Sequence, residues 1–260
     1  IANKLLASFA APFQAGEHEF FISSSIGSCL FPVDGTDVAT VVKNADAAMY
    51  RSKAKGRNRV ESYTHDLTSQ ATARIALEHE LRRAMERNEF SLSYQPKISL
   101  LNQQLVGAEA LIRWTHPTLG EVPPEHFIAL AEENGMILQI GDWVLEQACM
   151  QMYEWNKIYQ PFGALSVNLA GAQLRQPKLL ARIEQLLANY RLAPECLQLE
   201  ITENFIMSQA EEALAVLYRL KRLGVQLAID DFGTGYSSLS YLKRLPLDIL
   251  KIDQSFVRGL

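Results

Sequence analysis

Cysteine is scarce in this 260-residue sequence, and long apolar runs are missing. The three cysteines, Cys29, Cys149 and Cys196, lie far apart and form no CxxC pair. This excludes a disulfide framework and a cysteine-rich zinc site, and it favours a reducing compartment. No run approaches the roughly 18 apolar residues of a membrane-spanning helix, and no signal-peptide pattern opens the chain. We therefore expect a cytoplasmic location and no membrane contact from this segment.

An excess of positive charge is also absent. The chain has 25 Lys and Arg against 29 Asp and Glu, a net charge of −4. A mildly acidic chain has no general electrostatic reason to bind DNA or RNA. Apolar residues make up 48% of the sequence and charged residues 21%, a composition that excludes a disordered chain. The length favours one to two folded domains.

The chain divides into two unlike parts. Residues 1–63 hold a β-rich stretch over 18–31, a helix over 36–56 and a short strand over 59–63. Gly27 in the first stretch predicts a bulge or a close backbone approach. So few elements cannot form an independent core, which is typical of the tail of an α/β domain. The polar segment 64–73 is the predicted linker, and residues 74–260 form the predicted second domain.

The second domain opens with a predicted helix over 74–90 and a hairpin of strands 91–100 and 103–114. Further predicted strands cover 164–169, 197–201, 225–230 and 248–252. Predicted helices cover 124–135, 142–159, 176–189 and 209–224. Repeated βα units predict a parallel sheet. Because these later strands lack a regular alternation, we expect them to be buried on both faces.

Lone polar residues follow or end each apolar strand. They are Glu109, Asn168, Glu200, Asp230 with Asp231, and Lys251 with Asp253. Charged groups at such positions need partners, and an ordinary ion pair would explain any one of them. In a (β/α)₈ barrel, however, the carboxyl ends of the strands meet at one mouth, where that fold holds its catalytic groups. The sequence therefore predicts one shared site.

The donor types in this set are carboxylate and amide oxygens, with no histidine at a predicted strand end. Oxygen ligands suit Mg²⁺ or Mn²⁺ and not zinc. The adjacent Asp230 and Asp231 could bridge two ions or supply one ligand to each. Two ions about 4 Å apart would activate a water and stabilise the leaving oxygen of a phosphodiester. Lys251 could orient that water or stabilise phosphate charge.

Six motifs, in order, resemble those of the EAL domain family of bacterial cyclic di-GMP phosphodiesterases. They are YQPK (94–97), EALIRW (109–114), SVNL (166–169), LEITE (199–203), IDDFGTGYSSLSYL (229–242) and LKIDQSFV (250–257). The resemblance covers about residues 75–260. It implies a TIM-like (β/α)₈ barrel and the metal-dependent opening of cyclic di-GMP to the linear dinucleotide pGpG.

The resemblance also implies roles for individual residues. Glu109, Asn168, Glu200 and Asp230 match the family's metal ligands, with Asp230 touching both ions and Asp231 at the second ion. Lys251 matches the lysine that contacts the attacking water and, with Glu109 and Asp230, completes the implied catalytic set. The implied substrate contacts are Gln95, Arg113 and Asp253.

A further implied role concerns the loop over residues 231–238. Glu203 matches the glutamate that tethers this loop, which in the family links dimer contacts to metal binding. The resemblance therefore implies a homodimer formed through the EAL barrel.

The front segment has its own resemblance. SIGSCLFPVDGTD (25–37) and NADAAMYRSKAKGRNRV (44–60) are similar to the C-terminal third of a GGDEF domain. Lys53 and Arg57 match phosphate-contacting positions there, although basic residues near a helix C-terminus also occur without such a role. The GGDEF motif itself would lie before residue 1, so we expect no cyclase activity from this part.

The family barrel continues with two more βα units, which carry a ligand glutamate in an AEGVE-like strand and a glutamine in a QGY-like strand. We therefore expect a chain that is cut at both ends, that holds six of eight barrel strands and that does not close its barrel alone. Two alternatives stay open besides the enzyme: a degenerate module that senses cyclic di-GMP, and an unrelated phosphohydrolase barrel. For Trp114 and His116 we expect packing and turn roles.

Overall fold

The computed structural model describes residues 1–9, 13–15, 18–20, 22–56, 58–158, 162–208, 210–233 and 242–258. The chain divides into two compact units, residues 1–80 and residues 81–260.

The first unit combines short strands with two helices and the start of a third. Its elements are α1 (Ala2–Ser8), β1 (Phe13–Ala15), β2 (His18–Phe20), β3 (Ile26–Ser28), α2 (Val38–Ala54), β4 (Val60–Ser62) and α3 (His65–Ala84). Strands β1 and β2 pair antiparallel, and β3 and β4 pair parallel. A side chain at Gly27 of β3 would overlap the carbonyl oxygen of Ala45 on α2, so the predicted close approach is confirmed.

Helix α3 includes most of the polar segment that the sequence predicts as a linker. It starts at His65, earlier than the predicted residue 74, and ends at Ala84. Leu81 and Ala84 in its last turn are fully buried. The segment is therefore helical, and its role as a linker stays a prediction.

The second unit alternates strands and helices after an antiparallel hairpin, as predicted. Its elements are β5 (Phe90–Ile98), β6 (Leu105–His116), β7 (Gly120–Val122), α4 (Pro124–Asn134), α5 (Ile137–Ile158), β8 (Ala164–Asn168), α6 (Gly171–Leu174), α7 (Leu179–Asn189), β9 (Leu197–Thr202), α8 (Glu203–Ser208), α9 (Ala210–Leu223), β10 (Gln226–Phe232) and β11 (Ile249–Ile252). Short 3₁₀ turns cover Pro194–Cys196 and Gln254–Phe256.

One sheet organises this unit, with strand order β11-β10-β9-β8-β6-β5 and β7 paired to β6. Strands β6, β8, β9, β10 and β11 run parallel, and β5 is antiparallel to β6. Six described strands thus follow one another along the sheet, the number expected from the sequence.

The sheet curls into a barrel wall. Strands β6 and β11 are four steps apart, which in a flat sheet would separate them by about 19 Å. Nevertheless the Lys251 Nζ of β11 lies 3.0 Å from the Glu109 Oε2 of β6. Curvature therefore brings the inward side chains of distant strands together, as in the TIM-like barrel that the sequence predicts.

Successive residues of the parallel strands point alternately into the barrel and outward. The prediction that these strands are buried on both faces is confirmed for most of β8, β9 and β10 and is wrong for β11, where Leu250 and Ile252 are exposed. Gln198 and Glu200 of β9 share one face and bond to each other, whereas Leu199 between them points to the other face. Both faces are nevertheless buried, since Glu200 and Leu199 are each 0% exposed. The interior face of β9 is therefore polar although it is buried.

Aromatic side chains fill the layer between sheet and helices. The ring of Trp114 lies 5.6 Å from that of Phe127 and 5.9 Å from that of Phe90. The indole Nε1 donates a hydrogen bond to Glu89 Oε2 at 2.9 Å. The packing role predicted for Trp114 is confirmed.

His116 is the last residue of β6 because this strand continues past Glu109 to pair with β7. The expectation that no histidine ends a strand is therefore wrong. The Nδ1 of His116 accepts hydrogen bonds from the amides of Thr118 at 3.2 Å and Leu119 at 3.1 Å, which confirms the turn role.

Among the described residues, no helix has both the length and the apolar character needed to span a bilayer.

Candidate functional site

Three carboxylates meet on the inner face of the barrel wall. Glu109 of β6, Glu200 of β9 and Asp230 of β10 place one oxygen each within 4.8 Å of the others. Lys251 of β11 reaches the same point. Its Nζ lies 3.0 Å from Glu109 Oε2 and 3.1 Å from Asp230 Oδ2, and it donates a hydrogen bond to Glu200 Oε2. Four of the predicted site residues are thus brought together.

The charges in this cluster stabilise one another. Burial acts to raise the pKa of Glu200, but the hydrogen bonds from Lys251 and Lys97 outweigh burial and lower that pKa. Burial likewise opposes the charge of Lys251, yet the hydrogen bond to Glu200 and the negative charges of Glu109 and Asp230 raise its pKa. At neutral pH the site therefore pairs a charged Glu200 with the ammonium group of Lys251.

Asn168 and Asp231 lie beside the cluster. The Asn168 Nδ2, at the end of β8, donates to Glu109 Oε1 at 2.9 Å. Asp231 adopts a left-handed backbone with φ of 55°, and its amide donates to Asp230 Oδ1 at 3.0 Å. Burial, followed by the charges of Asp230 and Asp253, raises the pKa of Asp231. A cation near Asp231 would offset this repulsion.

Glu203 begins α8 directly after β9 and is 1% exposed. Its Oε2 accepts a hydrogen bond from the amide of Gly233 at 2.7 Å. The bond fixes the chain just after the two aspartates of β10. The expected tether of the 231–238 loop can be followed only to Gly233, since residues 234–238 lie outside the described residues.

The three predicted substrate contacts are spread along the same barrel. Gln95 pairs with Glu109 across β5 and β6, and both residues line a cavity of about 800 Å³ together with Lys251. Asp253 follows β11, and hydrogen bonds from Ser255 lower its pKa. These positions surround the cluster without joining it.

Arg113 lies on the Glu109 face of β6, about 13 Å further along the strand. Its Nε lies 3.8 Å from Glu121 Oε1 on β7, and its Nη1 donates to the carbonyl of Ile112 at 2.9 Å. The structure therefore places Arg113 on the predicted face but outside the carboxylate cluster.

Three further polar residues belong to the site but are not found by the sequence argument: Lys97, Ser166 and Gln198. Lys97 Nζ lies 2.8 Å from Glu200 Oε1 and also donates to Ser166 Oγ. Gln198 Nε2 donates to the same Glu200 oxygen at 2.8 Å. Each stands two residues from a candidate residue on its own strand. The period-two pattern of a strand is thus the signal that could have found them.

The donor set suits a divalent cation. One oxygen from each of three carboxylates lies close to the others and to the ammonium group of Lys251. The side-chain amide of Asn168 lies next to them and donates to Glu109. Oxygen donors of this kind are the preferred ligands of Mg²⁺ and Mn²⁺. The same convergence would be strongly repulsive without a positive charge among the oxygens.

Basic residues of the first unit have partners of their own. Glu61 on β4 lies 3.5 Å from Arg51 and 3.1 Å from Lys55. The ammonium group of Lys53 lies 5.2 Å from the ring centre of Tyr50. Arg57 lies outside the described residues.

Comparison with known families gives two matches. Residues 78–260 match the EAL domain, and residues 1–59 match the GGDEF domain of diguanylate cyclases. The GGDEF match ends at residue 59, before α3 begins, and the EAL match starts at residue 78, within α3.

Curated relatives match this chain along its whole length, among them two named as cyclic di-GMP phosphodiesterases. One is the bifunctional diguanylate cyclase/cyclic di-GMP phosphodiesterase MucR of Pseudomonas aeruginosa, 43% identical over 260 residues. The other is the cyclic di-GMP phosphodiesterase PdeR of Escherichia coli, 35% identical over 262 residues. The chain spans 38% and 39% of the length of these two relatives.

Solved structures agree with this assignment. The PaMucR phosphodiesterase in complex with c-di-GMP is 44% identical, with a TM-score of 0.68 over 71% of this chain and 74% of that one. The FimX EAL domain from Pseudomonas aeruginosa bound to c-di-GMP is 34% identical, with a TM-score of 0.63 over 71% and 73%. The fold, the motif order and the family match lead to one conclusion. The chain belongs to the EAL domain family, and a segment that matches the GGDEF domain precedes its barrel.

Proposed function

We propose that this chain carries the catalytic site of a cyclic di-GMP phosphodiesterase, which hydrolyses the cyclic dinucleotide to linear pGpG in bacterial signalling. One observation carries the proposal: Glu109, Glu200 and Asp230 converge within 4.8 Å on the inner face of an EAL barrel. The names of MucR and PdeR, both cyclic di-GMP phosphodiesterases, support the same substrate.

The proposal includes Mg²⁺ or Mn²⁺ at this cluster, in a two-ion site. Glu109, Asn168, Glu200 and Asp230 would hold the first ion, and Asp230 with Asp231 would hold the second. When bound, such ions supply Lewis-acid stabilisation of phosphate charge and a more acidic water. Burial, followed by the charges of Asp230 and Asp253, raises the pKa of Asp231, and a second cation beside the adjacent Asp230 and Asp231 would offset the repulsion between them.

The chain's own residues would then bind and orient the substrate. Lys251 presents a permanent positive charge at the cluster, where it can hold the attacking water and counter the charge of the phosphate. Gln95 and Asp253 flank the cluster, and Arg113 lies further along the same strand face as Glu109. In the proposal, Arg113 contacts a phosphate of the dinucleotide through its planar guanidinium group.

A sensor without catalysis is not favoured, because every candidate ligand visible in the sequence is present in or beside the cluster. An unrelated phosphohydrolase is not supported either, since the EAL match covers residues 78–260. We also propose a homodimer through the barrel unit and a cytoplasmic site of action, the latter in keeping with three free cysteines.

The test is hydrolysis of cyclic di-GMP by the natural full-length protein with Mg²⁺ or Mn²⁺, followed by chromatography of pGpG. Glu109→Ala removes a ligand and should lower turnover at least about 100-fold, since even groups that only support a ligand cost 10–100-fold. The matched control is Glu154→Ala on the exposed face of α5, where Glu154 pairs with Lys157, and it should retain activity. Wild-type turnover in Glu109→Ala would refute the assignment, and binding without cleavage by the wild type would favour the sensor.

A further inference from the structure

Lys97 contacts the site from the side opposite to Lys251. It lies on β5, and its Nζ is 2.8 Å from Glu200 Oε1. A second hydrogen bond joins Lys97 to Ser166 Oγ on β8. The lysine therefore links three strands at one fully buried carboxylate, since Glu200 is 0% exposed.

The two oxygens of Glu200 have different partners. Oε1 accepts hydrogen bonds from Lys97 and from Gln198, both at 2.8 Å. Oε2 is bonded to Lys251, the same ammonium group that contacts Glu109 Oε2 and Asp230 Oδ2. Only Oε2 therefore faces the point where the three carboxylates converge.

We propose that Lys97 is a positioning residue, which holds Oε1 of Glu200 and leaves Oε2 as the single oxygen that this side chain offers to a cation. The inference rests on the proposed function, because it concerns how the same site binds its ion. Without Lys97, one of the two donors to Oε1 is lost, and the carboxylate can rotate away from the cluster. A ligand held in one orientation binds a cation more tightly than one that must first be ordered.

The position of Lys97 follows from its strand. Ser91, Ser93, Gln95 and Lys97 alternate with residues that pack outward, such as Tyr94, whose ring lies 4.8 Å from that of Trp155 on α5. In the β5–β6 pairing, Lys97 stands opposite Gly107. Because glycine has no side chain, the long lysine has room to extend along the interior to Glu200.

The experiment measures Mn²⁺ binding to the natural full-length protein by electron paramagnetic resonance, without substrate. Lys97→Met keeps the length of the side chain and removes its charge and hydrogen bonds. We expect affinity for Mn²⁺ at this site to fall about 10–100-fold. The control is Lys157→Met, which alters an exposed lysine of α5 and should leave the affinity unchanged.

The direction of the change separates positioning from charge. A lysine that acted only through its charge would repel Mn²⁺, so its removal would tighten binding. Unchanged or tighter binding in Lys97→Met, or no Mn²⁺ binding by the wild type, would overturn the inference. Circular dichroism checks folding. If Lys97→Met does not fold, Lys97→Gln, which keeps a hydrogen-bond donor on a side chain one bond shorter, gives the same test with an intermediate loss. Because no nucleotide is present, a failure to cleave cyclic di-GMP would contradict the proposed function and leave this result standing.

Discussion

Lys251 shows how one side chain can stabilise a site that would otherwise repel itself. Its ammonium group contacts Glu109, Asp230 and the fully buried Glu200. Buried charges of one sign cost several kcal/mol unless a partner of opposite sign is near. Of the oxygens in these three carboxylates, Lys97 contacts Oε1 of Glu200, which faces away from the cluster. Lys251 is thus the group that directly neutralises the converging oxygens when no divalent cation is bound.

We predict that Lys251→Met destabilises the barrel unit by about 3 kcal/mol in EDTA, because the three carboxylates lose their shared partner. Mn²⁺ should recover part of this loss, since a cation that binds only the folded state stabilises it. Hydrogen exchange of peptides that cover β9 (197–202) measures the change. Lys221→Met is the control, as it breaks a pair with Asp248 in which both side chains are about one third exposed, and it should cost less than about 1 kcal/mol. Equal protection of β9 in wild type and Lys251→Met under EDTA would contradict the prediction.

At the scale of the element, one sequence pattern predicts much of the site: an apolar strand followed by a single polar residue. It identified Glu109, Glu200, Asp230 and Lys251, and the structure brings these four together. The same reading missed Lys97 because Ser91, Ser93, Gln95 and Lys97 make every second residue of β5 polar, so no apolar run there ends in a single polar residue. It also missed that β6 extends to His116, since pairing with β7 depends on a turn and not on apolar pattern.

Gly107, unlike Gly27, was not interpreted from the sequence. Gly107 lies on the first rung of the β6–β8 pairing, opposite Ala164. Its φ is 153°, and a side chain there would overlap the carbonyl oxygen of Ala164. The sequence shows a glycine in a strand but not the neighbouring backbone that requires it, because that contact depends on the register of two distant segments.

We predict that Gly107→Ala destabilises the barrel unit by about 2 kcal/mol more than Gly135→Ala. Both glycines have positive φ, but a side chain at Gly135, which follows α4 with φ of 80°, would meet no atom within 4 Å. The pair therefore compares a crowded glycine in a strand with an open glycine at a helix end, and the expected difference combines the close approach with the less accessible backbone angle of Gly107. Urea unfolding followed by tryptophan fluorescence is suited to the measurement, since all three tryptophans lie within residues 81–260. Equal unfolding midpoints for the two variants would contradict the prediction, because β6 and β8 would then accommodate a side chain at Gly107 without cost.

At the scale of the whole molecule, the curl of the sheet determines the site. The contacts that build the cluster join residues from 97 to 251, on strands up to four steps apart. Local patterns in the sequence predict strands and helices, but the meeting of β6 with β11 depends on the twist and stagger of the whole wall. The order of the motifs indicated this meeting of β6 and β11 indirectly, because the whole set of motifs resembles a family whose fold is a barrel.

The two units give the last prediction. All residues of the cluster lie in the second unit, residues 81–260, and we propose that residues 64–73 link it to the first. Removing everything that precedes residue 65 from the natural full-length protein should therefore leave the Mn²⁺ affinity and the association state of the barrel unit unchanged, as measured by electron paramagnetic resonance and sedimentation. Removing everything that precedes residue 85 should weaken binding, because it deletes the fully buried Leu81 and Ala84 of α3 and opens a cavity in the barrel unit. If the shorter deletion alone abolished binding or separated a dimer, the first unit would be part of the functional site, and the proposed division of the chain would be wrong.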